Sequence, residues 1–205
     1  MQSDVSIFAE IAKNNSWGCS ESLSGPGSTF ESTQSLRSGL EEYLPKLGIR
    51  TLVDAPCGDI NWIRHLRYRF DRYVGIDVVP EIISSLRLLD LPGYHFQTGN
   101  IVTDILPASD AILCRDCLVH LPFDAAMNAV RLMTLSGSRY IMATTFSKLE
   151  RNEDCSYGDW RPLNLQAVPF NLPPPVVLIE DAVTSYSDKS LGIWRVQDII
   201  SSAQS

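Results

Sequence analysis

The residues between 54 and 59 are the first in the chain whose types and spacing point to chemistry. A strand-like run, T-L-V, ends at Asp54 and breaks into Ala55, Pro56, Cys57, Gly58 and Asp59 before apolar spacing resumes. Gly58 has no Cβ, so the backbone there can take a left-handed conformation or approach a ligand closely. A helix beginning near Asp59 would direct free N–H donors back over the sheet edge. The next strand-like run, Y-V-G-I-D, ends at Asp77. An acid about 20 residues beyond such a turn can accept hydrogen bonds from both hydroxyls of a ribose. The pair describes a site for a nucleoside-containing ligand.

Which nucleoside is decided by what the turn lacks. A pyrophosphate needs the G-x-G-x-x-G backbone, bare of side chains. Here a single glycine lies between two acids, Asp54 and Asp59, that would repel it. S-adenosylmethionine (SAM) carries an ammonium, a sulfonium and a ribose but no phosphate, and it suits nearby carboxylates. A plain βα connection is the competing reading of the turn. Asp77 would then cap the helix opened by Pro80, Asn100 would stabilise a turn and Cys57 would be a small apolar turn residue.

A second constellation, C-R-D-C-L-V-H, closes a later apolar run. Asp116 and His120 are four residues apart, so a short turn or helix puts them on one side. His120 titrates near working pH and is a candidate general base, as is Asp116; a structural histidine is the alternative. Arg115 would pair with Asp116 or reach a ligand carboxylate. Cys114 and Cys117 form a C-x-x-C with no second pair and no histidine pair at metal spacing, so no metal is expected.

These residues need elements to hold them. Strand-like runs occur at 51–55, 73–77, 94–97, 110–114, 139–145, 176–180 and 191–196. Between them, helical faces are formed by Leu36, Leu40, Tyr43 and Leu44; by Ile60, Ile63 and Leu66; by Ile82, Ile83, Leu86 and Leu89; and by Met127, Val130 and Met133. Pro80 and Pro122 stand where helices can begin. This alternation predicts an α/β domain with a doubly wound, mostly parallel sheet covered by helices on both faces. In such sheets ligands bind beyond the carboxyl ends of the strands, near the reversal of strand order, and the 54–59 turn lies at such an end.

Residues 147–175 have little periodicity but contain Tyr157, Trp160, Arg161 and Phe170. A link this long in a compact domain implies a lid or binding loop, and its aromatic content argues against disorder. Arg161 is expected either to clamp an anionic substrate or to form a salt bridge with Asp159 or the body. The Gly/Ser-rich stretch at 17–29 is expected to close over the ligand from the other side, with capping of the next helix by Ser28 or Thr29 as the alternative.

The chain has 205 residues, 44% of them hydrophobic, enough for one domain with one sizeable core. A formal net charge of −7 works against a broad nucleic-acid surface. Neither a signal-peptide pattern nor a membrane-spanning apolar run is evident, and five cysteines, an odd number, suit reduced thiols. A cytoplasmic protein without membrane or nucleic-acid partners is expected. A homodimer is expected only from the general prevalence of two-fold symmetry.

On the V-D-A-P-C-G-D turn, the chain resembles the class I SAM-dependent methyltransferases, whose usual turn reads V-L-D-x-G-C-G-x-G. The stretch G-N-I-V-T-D through C-R-D-C-L-V-H-L-P is similar to the family's third and fourth motifs. With N-E-D-C-S-Y-G-D-W-R-P-L-N-L and D-K-S-L-G-I-W-R-V, it resembles a subgroup marked by D-x-P-C-G-D, R-D-C-L-V-H and G-x-W-R-x-x-N-L elements. The resemblance covers residues 17–196. It implies a seven-stranded sheet with its last strand antiparallel and a single domain over 1–205, with a cofactor-covering segment at 1–28 and a substrate lid at 147–175. The implied cofactor contacts are Asp54, Ala55, Pro56, Cys57, Gly58, Asp59, Asp77, Val78, Asn100, Ile101, Cys114 and Arg115. Tyr157, Trp160 and Arg161 would meet a small-molecule substrate, and Asp116 or His120 would serve as base for methylation of an oxygen or nitrogen. A catalytically silent SAM-binding partner protein is one alternative. A nucleotide-dependent oxidoreductase is disfavoured by the missing glycines. A nucleic-acid amino-methyltransferase would carry N/D-P-P-Y/F where this chain reads C-R-D-C.

Overall fold

The computed structural model describes residues 4–182 and 186–203. Among them, seven strands form one sheet: β1 (Thr51–Asp54), β2 (Arg72–Asp77), β3 (Tyr94–Thr98), β4 (Ala111–Cys114), β5 (Tyr140–Phe146), β6 (Val177–Glu180) and β7 (Lys189–Arg195), in the order β3-β2-β1-β4-β5-β7-β6. The β1, β2, β3, β4 and β5 pairings are parallel, while β7 runs antiparallel to both β5 and β6. This is the doubly wound sheet with an antiparallel last strand, and strand order reverses between β1 and β4.

The central strands β1, β2, β4 and β5 are legible because both faces of the sheet are covered there. Side chains alternate between faces along a strand, and here both sets are apolar. Val53, Ile112 and Ile141 enter one core with α4 (Phe123–Leu135) and α5 (Val196–Ser202). Leu52, Leu113 and Met142 enter the other, with α2 (Gln34–Lys46) and α3 (Pro80–Arg87). Helix α1 (Asp4–Asn14) precedes the 17–29 loop.

One expected helix does not form. Ile60, Ile63 and Leu66 are buried, but on an irregular connection whose only helical piece is a 3₁₀ turn, Ile63–His65. Their spacing of three matches the 3.0-residue period of a 3₁₀ turn better than 3.6. Ile60 also has φ 52°, which a helix cannot contain. Pro122 caps α4 rather than opening it, and neither Ser28 nor Thr29 caps α2, whose N-cap is Thr33. No helix among the described residues is long and apolar enough to cross a membrane.

Candidate active site at the carboxyl edge of the sheet

A cavity of about 810 Å³ opens where strand order reverses. The ends of β1, β2, β3 and β4 form its floor through Asp54 to Gly58, Asp77 to Val79, Gly99 to Val102 and Arg115 to Cys117. Trp17 and residues 23–28 form one wall, with Phe8 and Ala12 of α1 beside them. Gly158 and Trp160 of the long link, with Tyr186 and Lys189 near β7, complete it.

The acids at the ends of β1 and β2 are buried. Asp54 accepts a hydrogen bond from the Tyr73 hydroxyl. Burial raises its carboxyl to about 7 against the opposing pull of that hydroxyl, with Asp77 adding to the rise. Asp77 accepts the Gly58 N–H on one oxygen and the Val79 N–H on the other, each at 3.0 Å. Burial pushes its carboxyl up against those donors. It thus ties the turn to β2 and holds the backbone that leads into α3, and it lines the cavity floor. Asn100 accepts the Val102 N–H at 2.9 Å, the turn-stabilising role, while Asn100, Ile101 and Val78 also line the cavity. Gly58 sits at φ 52°, and a Cβ there would lie 2.1 Å from Ser24 Oγ. The glycine therefore admits the 17–29 loop as well as shaping the turn.

Two residues expected at the cofactor are placed elsewhere. Asp59 does not line the cavity: its carboxylate accepts the Leu23 N–H at 2.7 Å and the Ser22 hydroxyl at 3.0 Å, so it anchors the loop. Cys114 is 1% exposed beneath the floor, in the core with Cys117. The last residue of β4 points away from the cleft, and Arg115 is the first to reach it.

At the far end lies a charge network. Arg115 grips Asp181 through Nε and Nη2 at 3.0 and 2.9 Å, contacts Asp116 at 3.3 Å and donates to the Gly27 carbonyl at 2.8 Å. Lys189 Nζ bridges Asp116 at 2.7 Å and Asp181 at 3.1 Å. Two cations thus face two anions. Burial alone would raise the Asp116 carboxyl, but Arg115 and Lys189 overcome it and hold the group at about 2. A carboxylate so stabilised is a poor proton acceptor, so Asp116 is corrected from candidate base to charge partner.

His120, on the Leu118–His120 turn, has its Nδ1 2.8 Å from the Asp159 carbonyl oxygen. A carbonyl only accepts, so Nδ1 carries the proton and Nε2 keeps the lone pair of the neutral ring. Burial lowers the ring's pKa, opposed by the Asp159 carbonyl and the Asp116 charge. The Trp17 ring lies over the imidazole, 5.2 Å between centroids. His120 thus lines the cavity between the Trp17 ring and the Asp159 carbonyl.

The long link is strapped to the body rather than lying free over the cavity. Gly158 N–H donates to the His120 carbonyl and Arg161 N–H to that of Val119. The Arg161 guanidinium, expected to meet a substrate anion or Asp159, instead donates to the carbonyls of Glu153, Leu118 and Leu121. Arg161 does not line the cavity, and neither does Tyr157, which packs on the core; of the three expected substrate contacts only Trp160 reaches it. The residues missed from sequence are Lys189, Asp181, Tyr186 and Phe8. Lys189 has one signal in the sequence: a lysine opening the strand K-S-L-G-I-W-R, whose middle is apolar.

All five cysteines are free, and among the described residues no group of three His, Cys, Asp or Glu side chains could hold a metal ion.

No family model matches the sequence, and no curated protein matches it. Solved structures do. The chain is similar to magnesium protoporphyrin IX methyltransferase from Synechocystis PCC 6803 with bound SAM: TM-score 0.64, 12% identity, 95% of this chain and 98% of that one. It is also similar to the methyltransferase domain of bacterial CtHen1, with TM-score 0.59 and 14% identity over 80% and 98% of the two chains. Human N-acetylserotonin methyltransferase in complex with SAM gives TM-score 0.57 at 9% identity over 80% of this chain and 52% of that one. The alignment to the first enzyme in its SAH-bound form spans 58% of that chain. What these proteins share with this chain is the class I methyltransferase fold.

Proposed function

We propose that this protein is a SAM-dependent methyltransferase acting on an oxygen or nitrogen of a small molecule. The observation that carries the reading is the pair Asp54 and Asp77, buried at adjacent strand ends on the floor of a large cavity at the strand reversal. The similarity to methyltransferase folds crystallised with SAM supports it, and the sequence elements fit the D-x-P-C-G-D subgroup. The free thiols suit a cytoplasmic setting.

The donor set fits SAM. Asp77 offers its remaining lone pairs to ribose hydroxyls, Asp54 an anionic partner for an ammonium, and Val78, Ile101 and Ile82 apolar walls for an adenine. When bound, SAM supplies a methyl group on a sulfonium leaving centre. The chain must align an acceptor behind that methyl, exclude water and take up a proton. The 17–29 loop, held by Asp59, and the link strapped through Gly158 and Arg161 cover the cavity from two sides. His120 Nε2 receives the acceptor's proton. Trp160 contacts the substrate.

The test is transfer of label from methyl-tritiated SAM to a pooled extract of compounds below about 1 kDa. Labelled product, reduced about a hundredfold or more in His120→Ala, is the expected result. SAM bound with no label leaving it would identify a silent SAM-binding protein instead.

A further inference from the structure

We propose that the methyl acceptor is a neutral, planar aromatic compound bearing a hydroxyl, seated among Trp17, Trp160 and Tyr186 with its hydroxyl at His120; this rests on the methyltransferase reading above.

Three features of the acceptor end lead there. The first is the wall. Trp160 and Tyr186 lie ring to ring at 5.0 Å, Trp17 covers the His120 imidazole at 5.2 Å, and Phe8 and Leu121 extend the same lining. Aromatic walls favour a flat π-system, by offset or edge contacts. A sugar or polyol would need more hydrogen-bond partners than two indole N–H groups and the Tyr186 hydroxyl supply.

The second feature is charge. Arg115 and Lys189 are matched by Asp116 and Asp181 at 2.7 to 3.3 Å, and all four lie in one network. A carboxylate substrate would need a cation not already committed, and an ammonium an uncommitted anion. Either would have to break buried pairs to bind, a costly exchange. A neutral molecule leaves the network intact.

The third feature is the base. A single neutral imidazole, its Nδ1 fixed on the Asp159 carbonyl, serves the acceptor. An alkyl hydroxyl is about as weak an acid as water, and an imidazole takes such a proton with a carboxylate supporting its second nitrogen, where His120 has only the Asp159 carbonyl. A phenolic hydroxyl, at about 10, is within reach. The step balances. The hydroxyl oxygen bonds to the methyl carbon, the carbon–sulfur bond breaks with its electron pair left on sulfur, and the hydroxyl proton passes to His120 Nε2.

The experiment follows 2-naphthol binding to the SAM-saturated protein by tryptophan fluorescence, beside methyl transfer from tritiated SAM. Benzoate, benzylamine and methyl glucoside serve as comparison probes. Expected are saturable binding and methylation of 2-naphthol, with affinity about tenfold weaker in Trp160→Ala, an exposed position that tolerates substitution, while SAM affinity holds. His120→Gln should slow transfer to 2-naphthol by about a hundredfold while its affinity for 2-naphthol holds. Preference for benzoate, benzylamine or the glucoside, or a His120→Gln loss that lies in naphthol affinity and not in the transfer step, would overturn the inference while leaving the methyltransferase reading intact. Absence of SAM binding would overturn both.

Discussion

Replacing Lys189 by methionine removes the ammonium while keeping most of the side chain's length and apolar body. In the native protein Lys189 Nζ sits 2.7 Å from Asp116 and 3.1 Å from Asp181, and the lysine and Asp181 side chains are 6% and 1% exposed. Taking one partner from a buried ion pair costs about 3–5 kcal/mol, because the charge left behind is neither solvated nor matched. Arg115 still contacts both carboxylates, and Asp116 is 23% exposed, so the loss belongs at the lower end, about 3 kcal/mol. The titration of Asp116 gives a consistent scale. A carboxyl held at about 2 against an ordinary 3.8 corresponds to about 2 kcal/mol of stability above pH 4, shared between the two cations. That contribution is present above the unfolded pKa and is lost as pH falls toward 2. Urea unfolding should therefore show Lys189→Met destabilised by about 3 kcal/mol at pH 7, with the gap to the native protein narrowing toward pH 3. Adding Asp181→Asn restores the match of charges, and the double variant should be more stable than the sum of the single losses by at least about 1 kcal/mol. A single-variant loss below about 0.5 kcal/mol, or strict additivity, would refute the idea that the network is a mutually dependent buried unit.

Other expectations follow from the same geometry. Asp54, raised to about 7, contributes stability that is fully present below pH 3.8 and is lost as pH rises through 7; since an ammonium ligand prefers the ionised form, SAM affinity measured by calorimetry should rise several-fold from pH 6 to 7.5 and become flat in Asp54→Asn. Gly58→Ala places a Cβ at φ 52° and against Ser24 Oγ, and should cost about 1–2 kcal/mol in urea unfolding; no loss would mean the turn relaxes freely. Asp59→Ala deprives Leu23 N–H of its acceptor, so amide exchange at Leu23 should accelerate while exchange in β1 holds. Arg161→Met leaves the carbonyls of Leu118, Leu121 and Glu153 without their donor and should destabilise by about 3 kcal/mol; a loss confined to substrate affinity would restore Arg161 as a substrate contact.

What the sequence could reveal differs by the range of the interaction. The central strands are readable because each buries both faces, so Leu52–Val53 and A-I-L-C are apolar without interruption, whereas β3 and β6 at the sheet edges carry exposed residues. The 54–58 turn and Asp77 were readable because their partnership is local to one βαβ-like unit, and Gly58 N–H to Asp77 is its physical expression. The run Ile60, Ile63, Leu66 misled because a period of three is ambiguous between helix and 3₁₀ turn, and nothing in the sequence marks the positive φ of Ile60. Arg161 misled because a guanidinium that grips carbonyls is indistinguishable in sequence from one that grips a ligand. Lys189 was missed because its partner Asp116 is 73 residues away and they meet only when β7 inserts beside β5. His120 gained a definite tautomer only once the link brought Asp159 to it.

The central claim is that SAM binds across the ends of β1 and β2. Calorimetric titration of the full chain with SAM, repeated with Asp77→Ala, tests it most directly. The account predicts saturable one-to-one binding to the native protein and affinity reduced at least tenfold in a variant that circular dichroism shows to be folded. No heat of binding from the native protein, or equal affinity in the folded variant, would contradict it.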